Sequence, residues 1–258
     1  MKIILALFLL SFSLAPSLIN PTMDQAQQEE NERLAREEKK VYLMGRFDQT
    51  KREDFVSVSE KYSMGGSTMY LRKETYDAFI QMRKAALEDG ITLSVASATR
   101  NFEYQKGLWN RKWNGVTFVS GQNLAETMPN ELERFKKILE YSAAPGTSRH
   151  HWGTEIDING ADPAYFDTAL GIKVYDWLSE NAMEFGFCQT YNKKGANRLT
   201  GYNEEKWHWS YLPLAQDFTS EYKNIITETD IVGFLGEAEV PKLNLIENYV
   251  LAINPECL

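Results

Sequence analysis

The sequence predicts one domain that mixes helices and strands, on three observations. Some stretches repeat apolar residues at a helical period, and others alternate apolar with polar residues at every second position. No internal repeat or low-complexity linker separates two globular halves. The length of 258 residues allows one large domain or two small ones, and a hydrophobic fraction of 43% is ample for a core.

Lys2, the apolar run Ile3 to Leu10 and the small and polar residues after it describe a secretory signal or a retained N-terminal anchor over residues 1–20. The run is short for a membrane span of about 20 residues, so no span is expected in the mature chain. Ala15 offers a cleavage point, although Pro16 follows it directly, and the lack of a cysteine after the leader argues against a lipid anchor. Residues 21–40 are rich in Gln, Glu, Arg and Lys and form a polar spacer, either an exposed helix or a flexible segment. The domain itself is expected over residues 41–258.

Within it, Tyr76, Phe79, Ile80, Arg83 and Leu87 fall on a helical period, so Leu71 to Glu88 reads as a helix stopped near Gly90. Ile91 to Ser97 alternates and reads as a strand, with Arg100 just beyond it. Helices are expected over Phe102 to Trp113 and Glu131 to Tyr141. Pro145-Gly146 marks a turn, which puts Ser148 and His150 on a loop, and Gly153 permits a sharp bend or a close backbone approach. Thr154 to Asn159 reads as a strand with Ile156 and Ile158 on one face and Glu155 and Asp157 on the other. Val174 to Phe185 reads as a helix ending near Gly186, Phe187 to Tyr191 as a strand, and 192–201 as a polar loop. In Trp207 to Tyr211, His208 and Ser210 share one face and the aromatic residues share the other. A helical tail is expected over Leu243 to Ile253.

The formal charge of −8, or −9 without Lys2, argues against a nucleic-acid partner, because phosphate binding draws on clustered Lys and Arg. Two cysteines, Cys188 and Cys257, invite a disulfide in an exported protein and would tie the tail to the domain; two buried free thiols are the alternative.

The chain has three histidines. His150 and His151 are adjacent, and His208 lies in Glu205-Lys206-Trp207-His208-Trp209. Histidine is the commonest side-chain metal ligand, and confinement to two short segments suggests joint use. Two imidazoles and a carboxylate, His150, His208 and Asp157, would leave a zinc ion one open position for water. The ion lowers the pKa of that water from about 15.7 toward about 7. A carboxylate must then move the proton, and spacing alone leaves Glu204 and Glu205 open for that role. Each piece taken singly is a weak signal, and polar residues satisfied in loops are the bland alternative. His151 reads as structural, and Trp152, Trp207 and Trp209 as packing around the site rather than as ligand contacts.

Together, Ser148-x-His150-x-x-Gly153-x-x-x-Asp157 and Glu205-x-Trp207-His208 resemble the zinc D-alanyl-D-alanine carboxypeptidases of the VanY type, relatives of D-Ala-D-Ala dipeptidases and of the hedgehog-like metal fold. Ser97-Ala98-Thr99-Arg100 followed by Gln105 resembles the family's Ser-x-x-Arg-x4-Gln element, so the likeness covers about Tyr70 to Tyr211. The resemblance implies a compact single-domain α+β fold, with a central antiparallel sheet carrying one zinc ion on one face and helices flanking it. It implies His150, Asp157 and His208 as ligands and Glu205 as the general base. It also implies that Arg100 meets the substrate carbonyl or carboxylate and that Gln105 and Ser148 belong to the substrate pocket. The implied reaction is removal of the terminal D-Ala from peptidoglycan stem peptides by a zinc-activated water, in the periplasm, the cell envelope or outside the cell. The same site would also suit an L,D-carboxypeptidase, a dipeptidase or a cell-wall endopeptidase, and a zinc-containing cell-wall binding module is the non-enzyme alternative. One residue departs from the pattern: Glu155 stands where the family commonly has Ala. It could orient His151, pair with an arginine, shift substrate charge preference, or be an inert strand-end contact.

Overall fold

The computed structural model describes residues 23–66 and 68–258, and the expected leader over 1–20 lies outside the described residues. The chain divides between Arg36 and Glu37. Strong helix formers, with Asp24 in the first turn and Lys40 in the last, make Met23–Leu43 a helix, α1. Of the two expectations for the polar spacer, the helical one is therefore seen. The described residues of the first unit are exposed.

The unit Glu37–Leu258 is α+β. In chain order it holds β1 (Phe55–Ser57), β2 (Tyr70–Arg72), α2 (Lys73–Glu88), β3 (Val95–Ser97), α3 (Phe102–Trp113), α4 (Leu124–Thr127), α5 (Glu131–Ile138), β4 (Glu155–Ile158), α6 (Ala169–Asn181), β5 (Phe187–Gln189), β6 (His208–Tyr211) and α7 (Leu212–Ile225). β1 and β2 form an antiparallel pair, and the central sheet is antiparallel in the order β3-β4-β6-β5. Period-two alternation sorts its faces. Val95, Ile156, Ile158, Phe187 and Trp209 form one core with Phe79 and Met82 of α2 and Val174 and Leu178 of α6. Full burial of such side chains contributes about 1.5–3 kcal/mol each. A second core gathers Trp109 and Trp113 of α3, Phe135 of α5, Tyr222 of α7, Trp152 and the C-terminal tail. The polar face of β4 and β6, carrying Glu155, Asp157, His208 and Ser210, is buried.

Several boundaries differ from the sequence expectation. The helix expected from Leu71 starts at Lys73, because Leu71 is captured by β1 opposite Val56 and is fully buried there. The strand expected from Ile91 starts at Val95. Ahead of it, Asn159, in a left-handed conformation with φ 56°, replaces the ladder: its side chain donates to Thr92 O (2.9 Å) and accepts from Ser94 N (2.7 Å). The tail helix is reduced to one π turn, Ile246–Val250, preceded by left-handed Asn244. Helix α7 has no counterpart in the sequence expectation. Its buried positions, Ala215, Thr219 and Tyr222, include only one large side chain.

Cys188 and Cys257 form a disulfide with Cα atoms 5.7 Å apart, pinning the tail to β5. Asn254 N donates to Thr190 O (2.8 Å) beside it.

Candidate metal centre

Strand register does most of the assembly. β4 and β6 pair so that Asp157 lies opposite His208 and Glu155 opposite Ser210. His150 arrives from a 3-10 turn, Arg149–Trp152, rather than from an irregular loop. The turn ends at Gly153, whose φ of 77° disfavours side chains and whose Cβ would meet Phe55 and Arg72. A backbone bond from Arg100 N to His150 O (3.2 Å) fixes the turn against the segment after β3.

The hydrogen bonds decide which ring nitrogens are available. His150 Nδ1 lies 2.8 Å from Ala98 O. A carbonyl only accepts, so Nδ1 carries the proton and Nε2 presents its lone pair. His208 is turned the other way: Nε2 lies 2.8 Å from Glu155 Oε2, while Nδ1 faces Asp157 Oδ1 (3.6 Å) and Glu205 Oε2 (3.2 Å). His150 Nε2 is 3.3 Å from Asp157 Oδ1. Tetrahedral N and O ligands at about 2.0–2.1 Å from zinc stand about 3.3 Å apart, so these separations are close to what one ion requires. Ligand atoms of His150, Asp157 and His208 all lie within 4.8 Å of one another, and this is the one such group of three among the described residues. His150 Nε2 and Asp157 Oδ1 are buried without a hydrogen-bond partner among the described residues, an arrangement that costs free energy unless something else engages them. The donor set therefore fits a divalent cation of the zinc type.

Charge states bear on the same purpose. Burial lowers the His208 pKa, but its bonds to Glu155 and Glu205 outweigh that and raise it to about 9, so a cation at Nδ1 takes the place of a ring proton. Burial lowers the His150 pKa to about 4, leaving a neutral imidazole. Burial raises Asp157, but the positive charge around it, that of Arg100 included, outweighs burial and lowers the carboxyl. Burial likewise raises Glu155, while the Arg149 charge and the bond to His208 bring it down to about 2. Burial raises Glu205 above the ordinary carboxylate value against the opposing pull of His208.

Beside the three ligand candidates lies a small open pocket, lined by Arg100, Ser148, Glu205 and the tyrosines 141, 191 and 202 among others. Glu205 is on this wall, held by its backbone bond to Tyr191 O (2.9 Å), whereas Glu204 is absent from it. Arg100 places Nη2 3.8 Å from Asp157 Oδ2. Gln105 does not reach the cavity; it is buried and donates to Ala143 O (2.7 Å), so it braces the wall from behind. His151 also stands outside. Its Nε2 accepts from Gly146 N (3.1 Å) and its Nδ1 faces Arg100 O (2.5 Å). Trp152, Trp207 and Trp209 are all buried.

Sequence reasoning missed Tyr191, Tyr202 and Arg149. Tyr191 packs edge-on against His208 with centroids 4.7 Å apart. Arg149 Nε lies 3.3 Å from Glu155 Oε1, which answers one of the questions posed by that carboxylate: it pairs with an arginine, and the histidine it faces is His208 rather than His151. Only the position of Arg149 between Ser148 and His150 hinted at a role.

Fold and site together define an α+β domain whose antiparallel sheet carries a buried His–Asp–His group able to hold a metal ion, with a further carboxylate beside it. The chain belongs to the VanY family, D-alanyl-D-alanine carboxypeptidase, whose model matches residues 68–214, more than half of the chain. It is similar to a D-alanyl-D-alanine carboxypeptidase of Enterococcus faecalis, 34% identical over 133 residues, covering 50% of this chain and 44% of the relative. It is also similar to a D-alanyl-D-alanine carboxypeptidase of Enterococcus faecium, 25% identical over 168 residues, covering 65% of this chain and 46% of the relative. The chain thus spans a little under half the length of these relatives. Among solved structures it is similar to the LdcB LD-carboxypeptidase, at 24% identity and a TM-score of 0.49, covering 77% of this chain and 80% of that one.

Proposed function

We propose that this protein is a zinc-dependent carboxypeptidase that removes the terminal D-Ala from peptidoglycan stem peptides. The observation that carries the proposal is the convergence of two unpartnered buried atoms, His150 Nε2 and Asp157 Oδ1, on His208 Nδ1, with Glu205 spare at their side. Zinc at this site would lower the pKa of a water and polarise the scissile carbonyl. Glu205 is the proton carrier. It takes the proton from the attacking water and passes it to the departing amine, and a pKa raised by burial suits it to both steps. Arg100 meets the oxyanion or the free carboxylate of the substrate, and Ser148 offers a hydroxyl to the peptide from the same wall. Gln105 serves the pocket by fixing Ala143.

The catalytic unit is residues 41–258, and the protein works outside the cytoplasm. The leader-like sequence over 1–20 and the Cys188–Cys257 disulfide support export, since disulfides persist in oxidising compartments. Among the described residues, no helix is long and apolar enough to cross a membrane.

Mass spectrometry of purified muropeptides after digestion tests the bond cleaved. Loss of one terminal D-Ala from pentapeptide stems is expected. Release of a dipeptide, scission within the stem, or action only on tetrapeptides would replace this reading with a dipeptidase, an endopeptidase or an L,D-carboxypeptidase. A full complement of zinc with no cleavage of any stem would indicate a binding module.

A further inference from the structure

We infer that Glu155 is a positioning residue for the metal site: it holds the proton of His208 on Nε2 and so commits Nδ1 to the ion, with Arg149 as its buried counter-charge. The inference rests on the reading of His208 as a zinc ligand. Glu155 is wholly buried, and an unpaired carboxylate there would be severely penalised. Its surroundings divide into two groups. Oε1 accepts from Ser210 Oγ (2.6 Å) and Thr154 Oγ1 (3.3 Å) and lies 3.3 Å from Arg149 Nε. Oε2 accepts from Thr190 Oγ1 (3.2 Å) and from His208 Nε2 (2.8 Å). An ionised carboxylate has no proton to give, so the shared hydrogen belongs to the imidazole. With Nε2 committed to Glu155, the nitrogen left to give up its proton to a cation is Nδ1, on the side of Asp157 and Glu205.

Arg149 is itself immobilised. It donates to Thr219 Oγ1 (2.8 Å) and Ser210 Oγ (3.3 Å), and its guanidinium carbon lies 4.5 Å from the ring centroid of Trp152. Arg149, Glu155 and His208 thus form a continuous line of contacts from Thr219 of α7 to the candidate metal site. The two histidines differ in consequence. His150 is held by the neutral carbonyl of Ala98, whereas His208 is held by a charged carboxylate, which strengthens it as a donor. Register supplies the geometry: Glu155 precedes Asp157 by two residues on β4, so one face of one strand provides both a ligand and the partner of the ligand opposite it.

The test is Glu155→Gln, which keeps shape and one acceptor oxygen but offers an amide N–H that can reverse the tautomer. Zinc affinity of the full chain, measured by chelator competition, should fall about 10–100-fold. Long-range 15N–1H spectra of the zinc-loaded wild type should show His208 protonated at Nε2 and bound through Nδ1. Ser210→Ala, which removes one bond to Glu155 and one from Arg149 but leaves the ligand candidates in place, should lower affinity by a few-fold and serves if Glu155→Gln does not fold. Unchanged zinc affinity in the folded variants, or His208 bound through Nε2, overturns the inference alone. A wild-type chain that takes up no zinc overturns the metal-site reading and the inference with it.

Discussion

Asp157 and His208 stand directly opposite each other on neighbouring antiparallel strands, with Asp157 Oδ1 3.6 Å from His208 Nδ1. Two of the three ligand candidates therefore owe their separation to sheet register, which a one-residue slip of either strand would destroy by turning that strand's ligand to the opposite face. Asp157→Asn should leave the fold intact and reduce zinc affinity at least about 10-fold, since a neutral amide is a far poorer ligand than a carboxylate. Chelator competition beside circular dichroism checks both halves.

His151 is expected to matter for stability rather than metal binding. It is fully buried and bridges Gly146 N and Arg100 O. His151→Ala strands both backbone groups, which should cost about 1–3 kcal/mol, and kcat/KM should fall through a displaced Arg100. Denaturant unfolding gives the first, and zinc titration should show affinity little changed.

The disulfide closes across 69 residues of sequence. Reducing it, or replacing both cysteines with serine, should destabilise the domain by about 2–4 kcal/mol, read as a lower midpoint of unfolding.

Asp54 makes a two-point contact with Arg52 (2.9 Å each) and a third bond to Arg72 Nη1 (2.9 Å), joining the start of β1 to the end of β2. Burial raises its pKa, but the Arg52 bond and the two arginine charges outweigh it and hold the carboxyl below its usual value. A depressed folded-state pKa contributes stability above the unfolded value of about 3.9 and loses it as pH falls through the folded value. Asp54→Asn should therefore cost about 0.5–1 kcal/mol at neutral pH, and wild type and variant should converge in acid below both values. Unfolding curves at the two pH values check this.

Much of the site was legible because the relevant signals are local. Rare histidines, a Pro-Gly turn and period-two alternation place Asp157 and His208 on the polar faces of strands, where the structure has them. Glu155 was recognised as unusual yet could not be given its partners. His208 lies 53 residues away and Arg149 folds back from the preceding turn, and only strand pairing brings the three together. Helix α7 went unread although Leu212, Ala215, Phe218, Tyr222 and Ile225 fall on a helical period; Ala215 is buried, and the others pack in or against the second core. Leu71 misled because a leucine one turn before a helix and a leucine in a short strand look alike until Val56 is seen opposite it.

The central claim is that His150, Asp157 and His208 hold a zinc ion for a reaction in which Glu205 moves the proton. The most direct measurement is D-Ala release from purified pentapeptide stems by wild type and Glu205→Ala, each assayed as purified, after chelation and after zinc is restored. The account predicts release by wild type that chelator abolishes and zinc restores, and a Glu205→Ala protein that binds one zinc but is slowed at least about 10²-fold. Release that persists in zinc-loaded Glu205→Ala, or in chelated wild type, would contradict it.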